Sequence, residues 1–174
     1  MALIKSVKGI RPKMGSNCFL ADNATITGDV VMGDNCSVWF NAVVRGDVHT
    51  IRIGDNVNIQ DGAIIHCTYQ KAPVSIGNNV SIAHKAIIHG CTIHDNVLIG
   101  MGAIVMDGAV IHSNSIVGAG ALVTEGTVVE SGTVWAGLPA RKIKDIDQAL
   151  LEGQVNRISK NYTMYASWYD EEEI

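Results

Sequence analysis

Aliphatic residues recur every six positions along most of the chain. The beat runs Met14, Leu20, Ile26, Met32, Val38 and Val44, and after a slip of three residues it resumes at Ile53, Ile59 and Ile65. A longer interruption separates Ile65 from Ile76, Ile82 and Ile88. One residue is then dropped, and the series continues through Ile93, Ile99, Val105, Ile111, Val117, Val123, Val129 and Trp135. The position four after each beat is mostly small or β-branched, as at Ala24, Val30, Cys36, Ala42, Val57, Ala63, Val80 and Ala86. Gly, Asp and Asn fill the step between, as in IGDNV and IGNNV.

A helix repeats near 3.6 residues and a flat strand near two, so neither accounts for a period of six. A hexapeptide period is the signature of a parallel β-helix, in which each hexad is one short face and a corner. Three hexads close a triangular coil, and residues 14–140 predict about seven coils stacked ~4.8 Å apart. The extra residues after Ile65, within CTYQKAP (67–73), read as an extruded loop that leaves the rhythm intact. The pattern changes after VWAGLPARKIK (134–144), giving a solenoid over 1–144 and a separate segment over 145–174. Ile146, Leu150, Ile158, Tyr162, Tyr165 and Tyr169 form a rough helical stripe there. Asp145 is its expected N-cap and DEEEI a frayed tail. The helix is expected to cover apolar surface of the solenoid or of a neighbour.

The rhythm also places the polar residues. Arg45, His66 and His89 each follow a beat by one, three hexads apart, so they stack in one column of one face. Asp61 and His84 follow their beats by two and lie one coil apart on the neighbouring face, beside Gln60. A three-fold assembly can bring the first face of one subunit against the second face of the next, making three equal sites. Two histidines of one chain then meet one from its neighbour, and Arg45 meets Asp61. Three imidazoles with an open fourth position are a catalytic zinc pattern. His94 and His112 share an offset 18 residues apart and should stack, without a third partner.

Composition narrows the setting. Hydrophobic residues make up 47% and charged residues 17%, with a net charge of −4, which disfavours a nucleic-acid surface. No apolar run is long enough to cross a bilayer, and MALIKSVKGIRPKMGSN lacks a secretory pattern, so a cytoplasmic protein without membrane partners is expected. Cys18, Cys36, Cys67 and Cys91 show no CxxC pair and read as reduced.

The stretches VVRGDV (43–48), NIQDGAIIH (58–66) and SIAHKAIIHGC (81–91) resemble the gamma-class carbonic anhydrases of the hexapeptide superfamily, along essentially the whole chain. The resemblance implies a left-handed β-helix, a homotrimer, and one divalent metal per subunit interface: zinc, with iron or cobalt as alternatives. It implies His66 and His89 as ligands from one subunit and His84 as the ligand from the next. Gln60 corresponds to the side chain that bonds the metal-bound water, and Arg45 and Asp61 to the intersubunit ion pair. Asp47 and Asn58 correspond to supporting positions, and Tyr162 to a tyrosine that approaches the site. The implied reaction is reversible hydration of CO2 to bicarbonate by metal-bound hydroxide.

The sequence departs from the archaeal type enzyme at Val48, where that enzyme is acidic, and in CTYQKAP, which has no carboxylate. Both groups pass protons outward in that enzyme, so here His49 or a buffer molecule is left to do so. Two rivals follow. One is a coenzyme-A-dependent acyltransferase on the same fold, in keeping with the basic Arg141, Lys142 and Lys144. The other is a non-catalytic metal-binding assembly protein.

Overall fold

A computed structural model describes residues 1–169 of the 174. The expected tail (170–174) lies outside the described residues. The chain winds into a left-handed parallel β-helix of about seven coils, followed by a single C-terminal helix.

Each coil has three short strands. One face stacks Thr25–Met32 (its first half), Val43–Ile53 (its first half), Ile64–His66, Ile87–His89, Ile104–Val105 and Leu122–Val123. The second face takes the later halves of the two long strands and continues through Val74–Ile76, Thr92–Ile93, Val110–Ile111 and Val128–Val129. The third runs from Phe19–Leu20 through Ser37–Val38, Asn58–Ile59, Ser81–Ile82, Val97–Ile99 and Ser115–Val117 to Thr133–Gly137. Pairing is beat on beat: Val44 opposes Ile65, and Ile65 opposes Ile88.

The beats form the core. Ile26, Val38, Val44, Ile59, Ile65, Ile82, Ile88, Ile99, Val105, Ile111, Val117, Val123 and Val129 are all fully buried. The column is a single thread of aliphatics, so each side chain touches beats in the coils above and below.

The corners explain the rest of the IGDNV pattern. Asn56, Asn79, Asn96 and Asn114 sit at φ of 56°, 55°, 56° and 59°, the left-handed region that Asn tolerates best among residues with a side chain. Their amides form a ladder, Asn56 donating to Asn79 at 3.1 Å, Asn79 to Asn96 at 3.1 Å and Asn96 to Asn114 at 3.2 Å. The preceding acidic or amide residue accepts from the coil below: Asp55 from the Asp34 N–H at 2.8 Å, and Asn78 from the Asp55 N–H at 2.8 Å. Glycine precedes them because coils pass too closely for a side chain. A Cβ on Gly33 would come within 2.8 Å of the Gly54 carbonyl carbon and would collide with the Asp55 carboxylate.

The irregular stretches extrude at corners. The strands around Gly46 shift register against Gly28–Val30, which absorbs the slip near Asp47. The CTYQKAP loop closes on itself through a Thr68–Ala72 bridge, and the rhythm resumes at Val74.

After Thr133–Gly137 the chain turns back as the antiparallel strand Ala140–Asp145. The C-terminal helix then begins with α-helical Gln148–Leu150, widens into a π-helical stretch Leu151–Asn156, and continues as α-helix Arg157–Ser167. Its N-cap is Asp147, which accepts from the Leu150 N–H at 2.7 Å, rather than the expected Asp145. Asp145 ends the returning strand, and its carboxylate is taken by Lys142 at 2.9 Å. The helix packs on its own solenoid. Val155, absent from the expected stripe, is its fully buried apolar anchor, and Ser159 donates to the Asn56 carbonyl at 3.2 Å. Val155 lies within the wide π turn, three residues before Ile158.

Ile88 is wholly buried between Ile65 and Val105. Truncation to alanine leaves a void in a one-dimensional core and is expected to cost about 2–5 kcal/mol. Urea denaturation of Ile88→Ala against wild type measures it.

Candidate metal centre

The register sets His89 directly over His66 on the first face. Their rings lie 5.2 Å apart, and His66 Nδ1 faces His89 Nε2 at 3.2 Å. The nitrogen on the far side of each ring meets a carboxylate: His66 Nε2 with Asp47 at 3.1 Å, and His89 Nδ1 with Asp107 at 2.5 Å. A carboxylate accepts, so each far nitrogen is the one that carries hydrogen. The near nitrogens are then left with the lone pairs, on the side where the two rings face each other. Two nitrogens held 2.0–2.1 Å from a tetrahedral zinc ion lie roughly 3.3 Å apart, and this pair fits that edge.

His84 sits at the corner after Ser81–Ile82, with Asp61 one coil below. Its Nδ1 meets Asp61 at 2.9 Å, which assigns the hydrogen to that nitrogen and the lone pair to Nε2. Nε2 is met by the Tyr162 hydroxyl at 3.3 Å, from the C-terminal helix. Tyr162 also stacks edge-on against Trp39, with ring centres 5.2 Å apart. Burial, reinforced by the Asp61 charge, pushes its hydroxyl up to about 12, so at neutral pH it is a hydrogen donor.

Gln60 and Asn58 are buried next to this corner. Gln60 Nε2 donates to Asn58 Oδ1 at 2.9 Å, and Asn58 Nδ2 donates to Ser81 Oγ at 2.8 Å. This chain fixes the Gln60 amide with Nε2 engaged, leaving Oε1 as the atom to meet a ligand.

Arg45 and Asp61 belong to different faces, and in one chain each has another partner. Arg45 pairs with Asp47 at 2.7 Å and Asp61 with His84. The Arg45 and Asp61 side chains are 46% and 42% exposed, so both remain open to a second subunit. Among the described residues, no three His, Cys, Asp or Glu side chains of one chain form a metal-sized group. His49, the expected proton carrier, is tied by its Nδ1 to the Thr50 N–H at 2.8 Å. His94 and His112 stack in parallel, 5.1 Å apart and 2° from coplanar orientation. All four cysteines are free.

Two site residues escaped the sequence reading. Asp107 holds His89, and Thr68 of the extruded loop donates to the other Asp107 oxygen at 2.5 Å. Asp107 lies 18 residues after His89, a coil-length spacing that was available as a signal. It stands two places after its beat, Val105, whereas the histidines stand one place after theirs, so a count by column does not reach it.

Burial works against ionising Asp47 and Asp107, but their hydrogen bonds outweigh it. Arg45 and His66 hold Asp47 below the usual carboxylate range, and Thr68 and His89 do the same for Asp107. Burial lowers the His66 pKa, and although Asp47 opposes this, the nearby Arg45 and His89 charges keep it below the ordinary value. The ring therefore favours the neutral form that can bind a metal.

The depressed Asp47 pKa makes a pH prediction. Its contribution to stability is complete above the unfolded value near ~3.9 and is lost as pH falls through the lower folded value. Metal-free Asp47→Asn should be less stable than wild type at neutral pH, with the gap closing under strong acid. Urea midpoints across that range read it.

Residues 11–46 and 90–125 match the bacterial transferase hexapeptide family (six repeats). Protein YrdA of Escherichia coli is 35% identical over 175 residues, covering 97% of this chain and 93% of that protein. A carbonic anhydrase of Geobacillus kaustophilus is 38% identical, covering 96% of this chain and 91% of its own length. Among solved structures, a hexapeptide transferase family protein from Anaplasma phagocytophilum superposes with a TM-score of 0.91 at 38% identity, over 96% of this chain and 98% of that one. No helix among the described residues is long and apolar enough to cross a membrane. With its hexad core, its stacked His66 and His89, and relatives matched nearly end to end, the chain belongs to the gamma-class carbonic-anhydrase-like proteins of the hexapeptide-repeat superfamily.

Proposed function

We propose that three copies of this chain assemble around a three-fold axis and that each interface holds one divalent metal for CO2 hydration. The observation that carries the proposal is the His66–His89 pair: two lone pairs at tetrahedral-edge spacing, each imidazole fixed from behind by a carboxylate. A partner subunit supplies the third imidazole through His84, whose Nε2 is already set as the lone-pair nitrogen. The carbonic anhydrase name of the Geobacillus relative agrees with this reading.

The surface beside the pair suits such a contact. Val43, Ile64, Ile87, Ile104 and Leu122 form an outward apolar ladder on the histidine face, none of them fully buried. Apolar rows of this kind are what subunit interfaces cover. Exposed Arg45 then meets exposed Asp61 across the contact.

Imidazole ligands suit zinc, iron and cobalt alike, and any of them would supply a Lewis acid that brings the pKa of a bound water toward ~7. The chain's own residues orient the reaction. Gln60 Oε1 accepts a hydrogen bond from the attacking water and aims its oxygen lone pair at the CO2 carbon. Asn58 and Ser81 hold Gln60 in that pose. With no carboxylate in CTYQKAP, the released proton leaves through His49 or through buffer.

Elemental analysis of anaerobically purified protein should give one metal per subunit. His84→Ala should lower that content strongly although His84 does not touch the His66–His89 pair within its own chain; an unchanged content removes His84 from the ligand set. Gln60→Ala should retain metal and trimer while lowering the rate of CO2 hydration by about 10–100-fold, as loss of a supporting hydrogen bond does.

A second reading is coenzyme-A-dependent acyl transfer, favoured by the transferase name of the Anaplasma relative. Acetyl-CoA turnover that survives chelation would support it. A metal-loaded trimer inert toward CO2 at every buffer concentration would favour a non-catalytic assembly role.

A further inference from the structure

The third face carries a groove that CO2 does not need. Between the solenoid and the C-terminal helix lies a cavity of about 450 Å³. A three-atom CO2 molecule occupies on the order of two water volumes, ~60 Å³. The space exists because the outward column after the third-face beats dwindles. It runs Trp39, Gln60, Ala83, Gly100 and Gly118 in successive coils, so nothing fills the room beneath the helix.

The walls are apolar. Leu98 and Ile116 rise from the solenoid, and Ile158 and Tyr165 close the groove from the helix. Gln60, His84 and Tyr162 bring polar groups into the lining, the last two meeting at 3.3 Å. A pocket with an apolar body and a few convergent polar groups is the usual form of a small-molecule site. The π-helical stretch Leu151–Asn156 borders it and contributes Gln154 to the rim, and such wide turns are frequent at functional sites.

We infer that this groove binds the acyl portion of a carboxylic ester whose carbonyl reaches Gln60 and Tyr162, making apolar acyl esters substrates of the same site. The inference rests on the metal-site reading for its hydrolytic step but not for its binding step. The acyl chain lies along Leu98, Ile116 and Ile158. The Tyr162 hydroxyl, which meets His84 Nε2 at 3.3 Å, would donate to the ester carbonyl oxygen if a metal were held by His84 in its place. Water, held by Gln60 Oε1, adds through oxygen to the carbonyl carbon. The bond from that carbon to the alkoxy oxygen breaks with its electron pair, and a proton from the water passes to the departing alkoxide. One water and one ester give one acid and one alcohol, with no oxidant or reductant.

The test has a binding arm and a turnover arm. Isothermal titration of the trimer with acetate, butyrate and hexanoate, before and after metal removal, reads the groove alone. Affinity should rise about threefold to fourfold for each added methylene, in both forms of the protein. Ala83→Leu fills the floor of the groove, and Ile158→Trp fills it from the helix side. Either should abolish the chain-length dependence while leaving metal content unchanged. Hydrolysis of 4-nitrophenyl acetate, butyrate and hexanoate by metal-loaded wild type should show the same rising series in kcat/KM.

Affinities independent of chain length, or a series unaltered in both filled variants, would overturn the groove as an acyl site. Rising hexanoate affinity without ester turnover would overturn the hydrolytic half. A protein that takes up no metal yet keeps the chain-length series overturns the metal reading and leaves the groove standing. A metal-loaded, CO2-active trimer that ignores hexanoate does the reverse.

Discussion

The structure depends on in-register stacking of parallel coils. Strand N–H groups of one coil bond the carbonyl one place before the residue they oppose in the next, as when Ser37, which opposes Asn58, bonds the Val57 carbonyl at 2.9 Å. This interaction forces like positions into columns. An aliphatic beat always meets another beat, and a polar side chain one place later always points outward. Residues about one coil apart in sequence thereby become neighbours, and a single thread of Ile and Val becomes a continuous core. The fold needs no long-range packing between separate layers to define its interior, since each coil templates the next.

The breaks in the rhythm cluster at the candidate metal centre. The three-residue slip supplies Asp47, which holds His66. The extruded loop supplies Thr68, which holds Asp107. The dropped residue falls just after His89, where Gly90 turns at φ 54° against Ala72 and the Asp107 carboxylate. The slip supplies the carboxylate behind His66, whereas the one behind His89 comes from the regular hexad after Val105. Irregularity is tolerated at corners because added chain leaves the prism there without disturbing the beats, and this is where a regular fold is expected to carry chemistry.

The C-terminal helix adds a second layer to an otherwise one-layer molecule. It brings Tyr162 to His84, seals Trp39, and leaves a gap where the outward column shrinks to glycine. The imidazoles are thus prepared from two directions. Carboxylates fix which nitrogen carries hydrogen, and burial lowers the His66 pKa, favouring its neutral form. Both effects suit the imidazoles to the proposed metal.

The coil count, the core, and the stacking of His66 with His89 and of Asp61 with His84 were all legible along the chain, because register turns counting into geometry. Asn56 and Gly54 at the corners were equally readable, since left-handed turns and close backbone approach select those residues. Counting could not supply the direction of a side chain around the prism or the reach of an insertion. Asp107 meets His89 from one place out of column, Asp47 meets His66 from within a slip, and Arg45 turns to Asp47 inside one chain. The helix eluded counting for a related reason. Its anchor at Val155 lies in a wide turn, and Ser159 bonds the Asn56 carbonyl 103 residues away, a contact that no local period encodes.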